Sequence, residues 1–435
     1  MTSRRLAAWA ALLTLALTLL VAGCGGGTDR TKAQARLVNA SLGYEQLDLR
    51  VRGQLSQGGV AYGGSAGYVE VDPDNPSTTV TSAGSATALL SFTPALSAKK
   101  FYSVLAYGAA GALRHVVLDD NTAAPDADKA LLRVVNAAPD AGALDVYLTG
   151  TDDTLLAAVP VQSAAAYGTL GSWVTVNSAN WRLRVTAAGS KTDVRLDVPL
   201  LALPSRHVTT LVLTPGARDA GGVLVGSLAV AQQGAITRED ARHARVRLAA
   251  VVADSATVAA TVGTTALASG LGSPALADYV LLPTGASVVT VAVNGTALAS
   301  PSKTLGAGRD YTLMVHGPAA AGRVSWIDDD NRLPGDPARA KLRLINGLAE
   351  TAATLSMTLD FSPVADGVVI GAASAHASVP PTSGGGTDGA LSITATGGTA
   401  PVFTTADQIL RANATYSVFL VGPRSAPVAI VRKDR

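Results

Sequence analysis

The feature that most constrains this chain is a short strand-like run that returns four times. The copies are Arg36-Leu37-Val38-Asn39-Ala40, Arg133-Val134-Val135-Asn136-Ala137, Arg247-Leu248-Ala249-Ala250 and Arg343-Leu344-Ile345-Asn346-Gly347. They begin 97, 114 and 96 residues apart, and the second and fourth copies are separated by 210. Each interval suits one small sandwich domain, so the pattern calls for four similar units rather than one large core. The short-long-short order is that of a domain pair duplicated once.

A second alternating run follows each opening at a similar offset: Leu47 to Val51, Leu144 to Leu148, Val258 to Val262 and Leu355 to Leu359. Period-two alternation puts one set of side chains in a core and the other in water, as in half-buried strands. Later runs recur as Tyr102-Ser103-Val104-Leu105, Tyr311-Thr312-Leu313-Met314-Val315 and Tyr416-Ser417-Val418-Phe419-Leu420. In the second copy, His207 stands where the others have Tyr. Closing strands are expected at His115 to Leu118, Val223 to Leu228, Arg323 to Ile327 and Val428 to Val431. Gly, Pro, Asn, Asp and Ser clusters about ten residues apart separate these runs, the rhythm of all-β sandwiches. The expectation is an all-β chain of tandem immunoglobulin-like antiparallel β-sandwich domains, spanning 35–122, 131–236, 245–331 and 340–433. Thr237 to Ala244, rich in charge, reads as the solvated linker between the pairs.

The closest copy of a known pattern is Arg133-Val134-Val135-Asn136-Ala137-Ala138-Pro139-Asp140-Ala141, running on to Leu144-Asp145-Val146-Tyr147; a second element of it, a Tyr ahead of a Leu-Pro-x-Gly turn, is matched in the third repeat by Tyr279-Val280-Leu281-Leu282-Pro283-Thr284-Gly285. These residues resemble the bacterial family known as domain of unknown function 4397, over most of 35 to 432. The resemblance is strongest in the second repeat and weakest in the third and fourth. It implies an immunoglobulin-like sandwich and no established activity, since fold alone does not supply one.

Residues 1–23 read as a secretory signal: Arg4 and Arg5, then the apolar stretch Leu6 to Val21, then small residues. The stretch is short for a membrane span, and Gly25-Gly26-Gly27 follows at once. Val21-Ala22-Gly23-Cys24 resembles the lipobox of bacterial lipoproteins, which implies cleavage before Cys24 and lipidation of its thiol. Several acyl chains on Cys24 would give durable attachment, with Gly25 favouring the outer membrane and 24–34 serving as a flexible tether. Cys24 is the only cysteine, so no disulfide is expected and stability must come from packing.

The chain is 48% apolar and 15% charged, which excludes disorder over its 435 residues. Thirty-four basic residues against 32 acidic ones leave no basic stripe for a phosphate backbone, so nucleic acid is not an expected partner. Aromatic residues at 4% argue against a glycan groove built from stacked rings, although one cluster would suffice. The recurring Arg36, Arg133, Arg247 and Arg343 lie opposite their apolar neighbours, where an outward charge blunts edge pairing; a basic row contacting a ligand is the second reading.

The most chemical-looking motif lies at the junction within each pair. Asp119, Asp120 and Asn121, followed by Asp126 and Asp128, join the first repeat to the second; Asp328, Asp329, Asp330 and Asn331, followed by Asp336, join the third to the fourth. Clustered carboxylates can hold Ca2+, which takes six to eight oxygens, but no EF-hand spacing is present. Asp and Asn also favour turns, and that reading is preferred; no other cofactor is implied. Gly63-Gly64-Ser65-Ala66-Gly67 matches the nucleophile-elbow spacing without a helical continuation. His115, His207, His243, His316 and His376 are scattered and read as exposed or packed against strands. The expectation is a non-enzymatic cell-envelope lipoprotein, held at the membrane by its lipid and displaying loops for an envelope protein or glycan. The alternative is an envelope-anchored hydrolase or enzyme accessory module.

Overall fold

The computed structural model describes residues 31–216, 222–350, 352–386, 388–398 and 400–435. The signal segment, Cys24 and most of the tether lie outside them. Ala33 and Gln34, assigned to the tether, already belong to the opening strand Ala33–Asn39 and are buried.

The chain is all-β, and each repeat folds as two small sheets packed face to face, to which the third repeat adds a two-stranded ribbon of Gly285–Ser287 with Lys303–Leu305. In the first domain one sheet runs Val69–Val71, Ala33–Asn39, Phe101–Ala109, Ala112–Asp119, and the other Gln54–Ala61, Gln46–Val51, Thr78–Ser82, Ala88–Phe92. The fourth domain repeats this order throughout. The sheets are antiparallel except for one pair per domain, in which the opening strand lies parallel to the penultimate strand. A parallel pair needs a crossover, and the whole second sheet supplies it.

The parallel register shows which residues are equivalent. Arg36 lies opposite Ser103, Arg133 opposite Thr210, Arg247 opposite Thr312 and Arg343 opposite Ser417. The place of Tyr102, Tyr311 and Tyr416 is therefore taken in the second domain by Thr209, opposite Leu132, and not by His207. The expected linker at Thr237 to Ala244 is also different. Ile236–Glu239 pairs with Val225–Ala231 as a fifth strand, and the third domain's opening strand starts at His243.

Each domain has its own core. Leu37, Leu47, Leu49, Val60, Val80 and Val104 fill the first, with equivalent sets in the other three. The recurring Asn of the opening run ties the two sheets together. Asn39 donates to the carbonyls of Tyr44 and Val60, Asn136 to those of Gly142 and Ala165, and Asn346 to those of Ala353 and Val368. Asp48 and Asp145 in the second strands do similar work by accepting from Gly59 and Gly84, and from Ala164 and Gly189. A buried polar group is tolerable when it is saturated in this way.

The opening-strand sheet is covered on its other face as well, by the partner domain. Val38, Ala40, Leu105 and Leu118 of the first domain pack against Val135, Ala137, Val212 and Leu228 of the second. Ala249, Val251, Met314 and Ile327 of the third meet Ile345, Phe419 and Val421 of the fourth. Burial on both faces explains why these strands read as nearly unbroken apolar runs.

Candidate functional site

The recurring arginines sit within these domain contacts. Arg36, Arg133, Arg247 and Arg343 are all buried, on central strands. The outward, edge-blunting placement expected of them is wrong: the face opposite the sandwich core is the docking face.

One arrangement recurs at each. The Arg Nε donates to the hydroxyl opposite it on the neighbouring strand: Ser103 at 2.7 Å, Thr210 at 2.9 Å, Thr312 at 2.8 Å and Ser417 at 2.7 Å. In three domains that hydroxyl donates in turn to a carboxylate at the end of the closing strand or just beyond it: Ser103 to Asp120 at 2.5 Å, Thr312 to Asp329 at 2.6 Å and Ser417 to Asp434 at 2.5 Å. The register puts Gln232 at the equivalent place in the second domain.

Between the third and fourth domains the arrangement is reciprocal. Arg247 Nη1 reaches Asp434, and Arg343 Nη2 reaches Asp329, each at 2.5 Å. Each hydroxyl thus joins an Arg and an Asp of its own domain, while each Arg closes on the carboxylate of the other. Burial alone would raise the Asp329 carboxyl, but Arg343 and Arg247 hold it below the usual carboxylate range.

With Gln232 in place of a carboxylate, the first pair is joined differently. Arg36 spends its terminal nitrogens on the carbonyls of Gly234 and Ala231, and Arg133 lies over the Trp173 ring at 4.2 Å. Asp120 accepts from Ser103 and from Tyr68, yet burial outweighs these and raises its carboxyl.

The Asp-rich motifs are distributed between these junctions and ordinary turns. Asp119 accepts from Asn121, whose Oδ1 and Nδ2 bond the backbone of Phe101. Asp328 pairs with Lys303, and Asp330 with Arg332 and Lys341. Asn331 donates to Tyr279 and Asp310. Successive residues point to opposite sides of the strand end, so the carboxylates do not converge. Among the described residues no group of three or more His, Cys, Asp or Glu side chains is placed to hold a metal ion.

Ser65 bridges Val38 through its backbone in a loop after a strand, not at a strand-to-helix elbow. His115 stacks on Phe92, and His316 is buried against Ser325 Oγ at 3.0 Å. Among the described residues no helix is long and apolar enough to cross a membrane.

Fold and junctions together define a tandem β-sandwich protein whose domains dock in pairs through faces carrying buried charge. The chain belongs to the family of domain of unknown function 4397, whose profile matches residues 33–147 and 244–358, more than half of the sequence. Each match covers the first domain of a pair and ends within the second, in keeping with a duplicated pair. It also covers the third repeat throughout, against the expectation that this copy is among the weakest. No curated protein matches the chain. Among solved structures there is likeness to a proposed cell adhesion protein from Bacteroides uniformis, at 11% identity and TM-score 0.20, over 46% of this chain and 97% of that one. A second is the TIE protein of Bacillus anthracis, at 8% identity and TM-score 0.14, over 87% of this chain and 65% of that one. At these scores neither likeness carries an argument about fold or function.

Proposed function

We propose that this is a non-enzymatic cell-envelope lipoprotein, anchored through Cys24 at the outer membrane, whose docked domain pairs present loops to an envelope protein or a glycan. The observation that carries the reading is the reciprocal junction of Arg247 with Asp434 and Arg343 with Asp329. It commits two buried Arg–Asp pairs to holding two domains at a fixed angle, and a fixed angle sets the spacing of the exposed loops. Loops on a rigid scaffold are where recognition residues concentrate.

The test has two arms. Antibody or protease access to the domains is compared on intact and on permeabilised cells; access on intact cells supports surface display, and access only after permeabilisation supports a periplasmic partner. Purified protein is then assayed against ester, glycoside and peptide substrates. Turnover that a single substitution abolishes would overturn the non-enzymatic reading in favour of the hydrolase.

A further inference from the structure

In each domain the closing strand borders the opening-strand sheet, and what guards its outer side differs. In the second domain Ile236–Glu239 pairs along Ser227 to Val230 and covers it. In the third, Trp326 Nε1 donates to the carbonyl of Pro301 and Lys303 pairs with Asp328, so the segment 301–303 lies against the strand Arg323–Asp329. In the first, Ala112–Asp119 carries Arg114 and His115 near its middle, polar residues of the kind that keep an edge from pairing. The fourth domain has neither device along Val428-Ala429-Ile430-Val431, and only the end of its strand, Arg432-Lys433, is charged.

The backbone of that strand is set to accept another. Thr210 pairs with Val230 and Ser417 with Arg432, so Val230 and Arg432 are equivalent, as are Ala229 and Val431, and Ser227 and Ala429. The Asp434 N–H donates to the Thr415 carbonyl. By the alternation of an antiparallel ladder, Arg432, Ile430 and Val428 then bond the neighbouring strand, while the N–H and C=O groups of Lys433, Val431 and Ala429 point outward. Those outward groups have no hydrogen-bond partner among the described residues, whereas their equivalents Ala229 and Ser227 face Thr237 and Glu239. Exposure follows the same contrast. Val428 is 49% exposed and Ala429 to Arg432 are half-buried, where Gly226, Ser227 and Leu228 are buried. An open, apolar edge of this kind is a template for pairing.

We propose that this edge pairs with the same edge of a second copy of the chain, antiparallel about a two-fold axis, joining two four-stranded sheets into one. The charge pattern selects that occupant. Antiparallel self-pairing sets Arg432 and Lys433 against the apolar start of the other copy's strand and keeps like charges apart. Arg432 is already matched by Asp278 of its own chain, so the edge asks for no acidic partner. The strand is thus its own complement. The pairing depends on neither the lipid anchor nor a ligand, and it sets the loops of two copies side by side.

The chain from residue 24 onward, carrying Cys24→Ser so that neither a lipid nor a disulfide joins two copies, is followed by sedimentation equilibrium. Between about 1 and 300 µM it should show a reversible monomer–dimer equilibrium with Kd of about 10–100 µM, in keeping with a small interface. Ala429→Pro removes an outward amide that the single chain does not use, and edge strands tolerate proline at such positions. Because a two-fold loses each bond twice, that substitution should weaken the dimer at least about tenfold. Lys433→Val, which clears the charge from the strand end, should tighten it. Amide hydrogen exchange supplies a readout that mere destabilisation would not imitate: protection of Ala429 and Val431 should rise with protein concentration, and in Ala429→Pro that of Val431 should not. A chain that stays monomeric throughout would overturn the proposal and leave the edge to a strand of a different protein. A dimer that neither substitution shifts would overturn it in favour of another surface.

Discussion

Arg343 of the fourth domain donates to Asp329 of the third at 2.5 Å, with 2% of one side chain and none of the other exposed. Taking both charges out of water costs several kcal/mol per ion, and the pair is tolerable only because each is matched. Removing one partner should be far worse than removing both. Arg343→Met is expected to destabilise the second pair by about 3–5 kcal/mol, and the Arg343→Met, Asp329→Leu double variant by clearly less. Urea unfolding followed by Trp326 fluorescence measures both, and equal losses would show that the charge pairing is not what the junction depends on.

The hydroxyl between Arg and Asp offers an internal comparison. In the third domain Thr312 serves both Arg247 and Asp329, whereas in the second Thr210 serves Arg133 alone. Each buried group left unsatisfied costs about 1–3 kcal/mol. Thr312→Val should therefore cost about twice as much as Thr210→Val in matched denaturation curves. Equal costs would mean that Asp329 finds a replacement donor.

Much of this was legible in the sequence, and the failures have physical causes. The four opening runs located the four sandwiches because the same start, an Arg followed by aliphatic residues, returns at domain-sized intervals at Arg36, Arg133, Arg247 and Arg343. The same alternation placed the arginines opposite the core correctly, but it cannot tell solvent from a second protein face. The docking partners are distant, Arg247 and Asp434 lying 187 positions apart in the chain. Nothing local marks such a pair, although the duplicated-pair spacing was a hint that domains act in twos. His207 resembles the tyrosines in sequence because a shift of two residues preserves the alternation, and only the pairing of Leu132 with Thr209 resolves it. Ile236–Glu239 is a short charged edge strand, a composition shared with linkers. The Asp-rich runs looked alike in sequence, yet strand geometry sends Asp329 into the junction and Asp328 to the surface.

Acid should act on the same junction through His316. Burial, and then Arg323, lower this imidazole from its ordinary value to about 4, and its Nδ1 has no partner. The unfolded chain binds a proton at about pH 6.5 that the folded chain refuses until about pH 4. Stability from the neutral His316 is thus complete above pH 6.5 and is lost as the pH falls toward 4, by about 3 kcal/mol in all. Gly371 of the fourth domain lies close against His316 and Ser325, so charging the ring should loosen the contact between the two domains. His316→Gln should make the stability profile between pH 4 and 6.5 shallower, leaving the share of His376, whose imidazole burial also lowers, to about 3; a variant with the same slope as the natural chain would assign the loss elsewhere.

The anchor is tested at Cys24, which lies outside the described residues. A lipid on this thiol would tie the chain to the membrane through covalent acyl chains, each buried methylene contributing about 0.8 kcal/mol. A retained apolar helix from Leu6 to Val21 would hold it without any thiol chemistry. The two differ in what Cys24→Ser does. For a lipoprotein, the natural chain should incorporate labelled palmitate and sediment with membranes, while Cys24→Ser should take up no label and either remain unprocessed or be released. Membrane retention of Cys24→Ser with cleavage of the signal intact would rule out the lipid anchor.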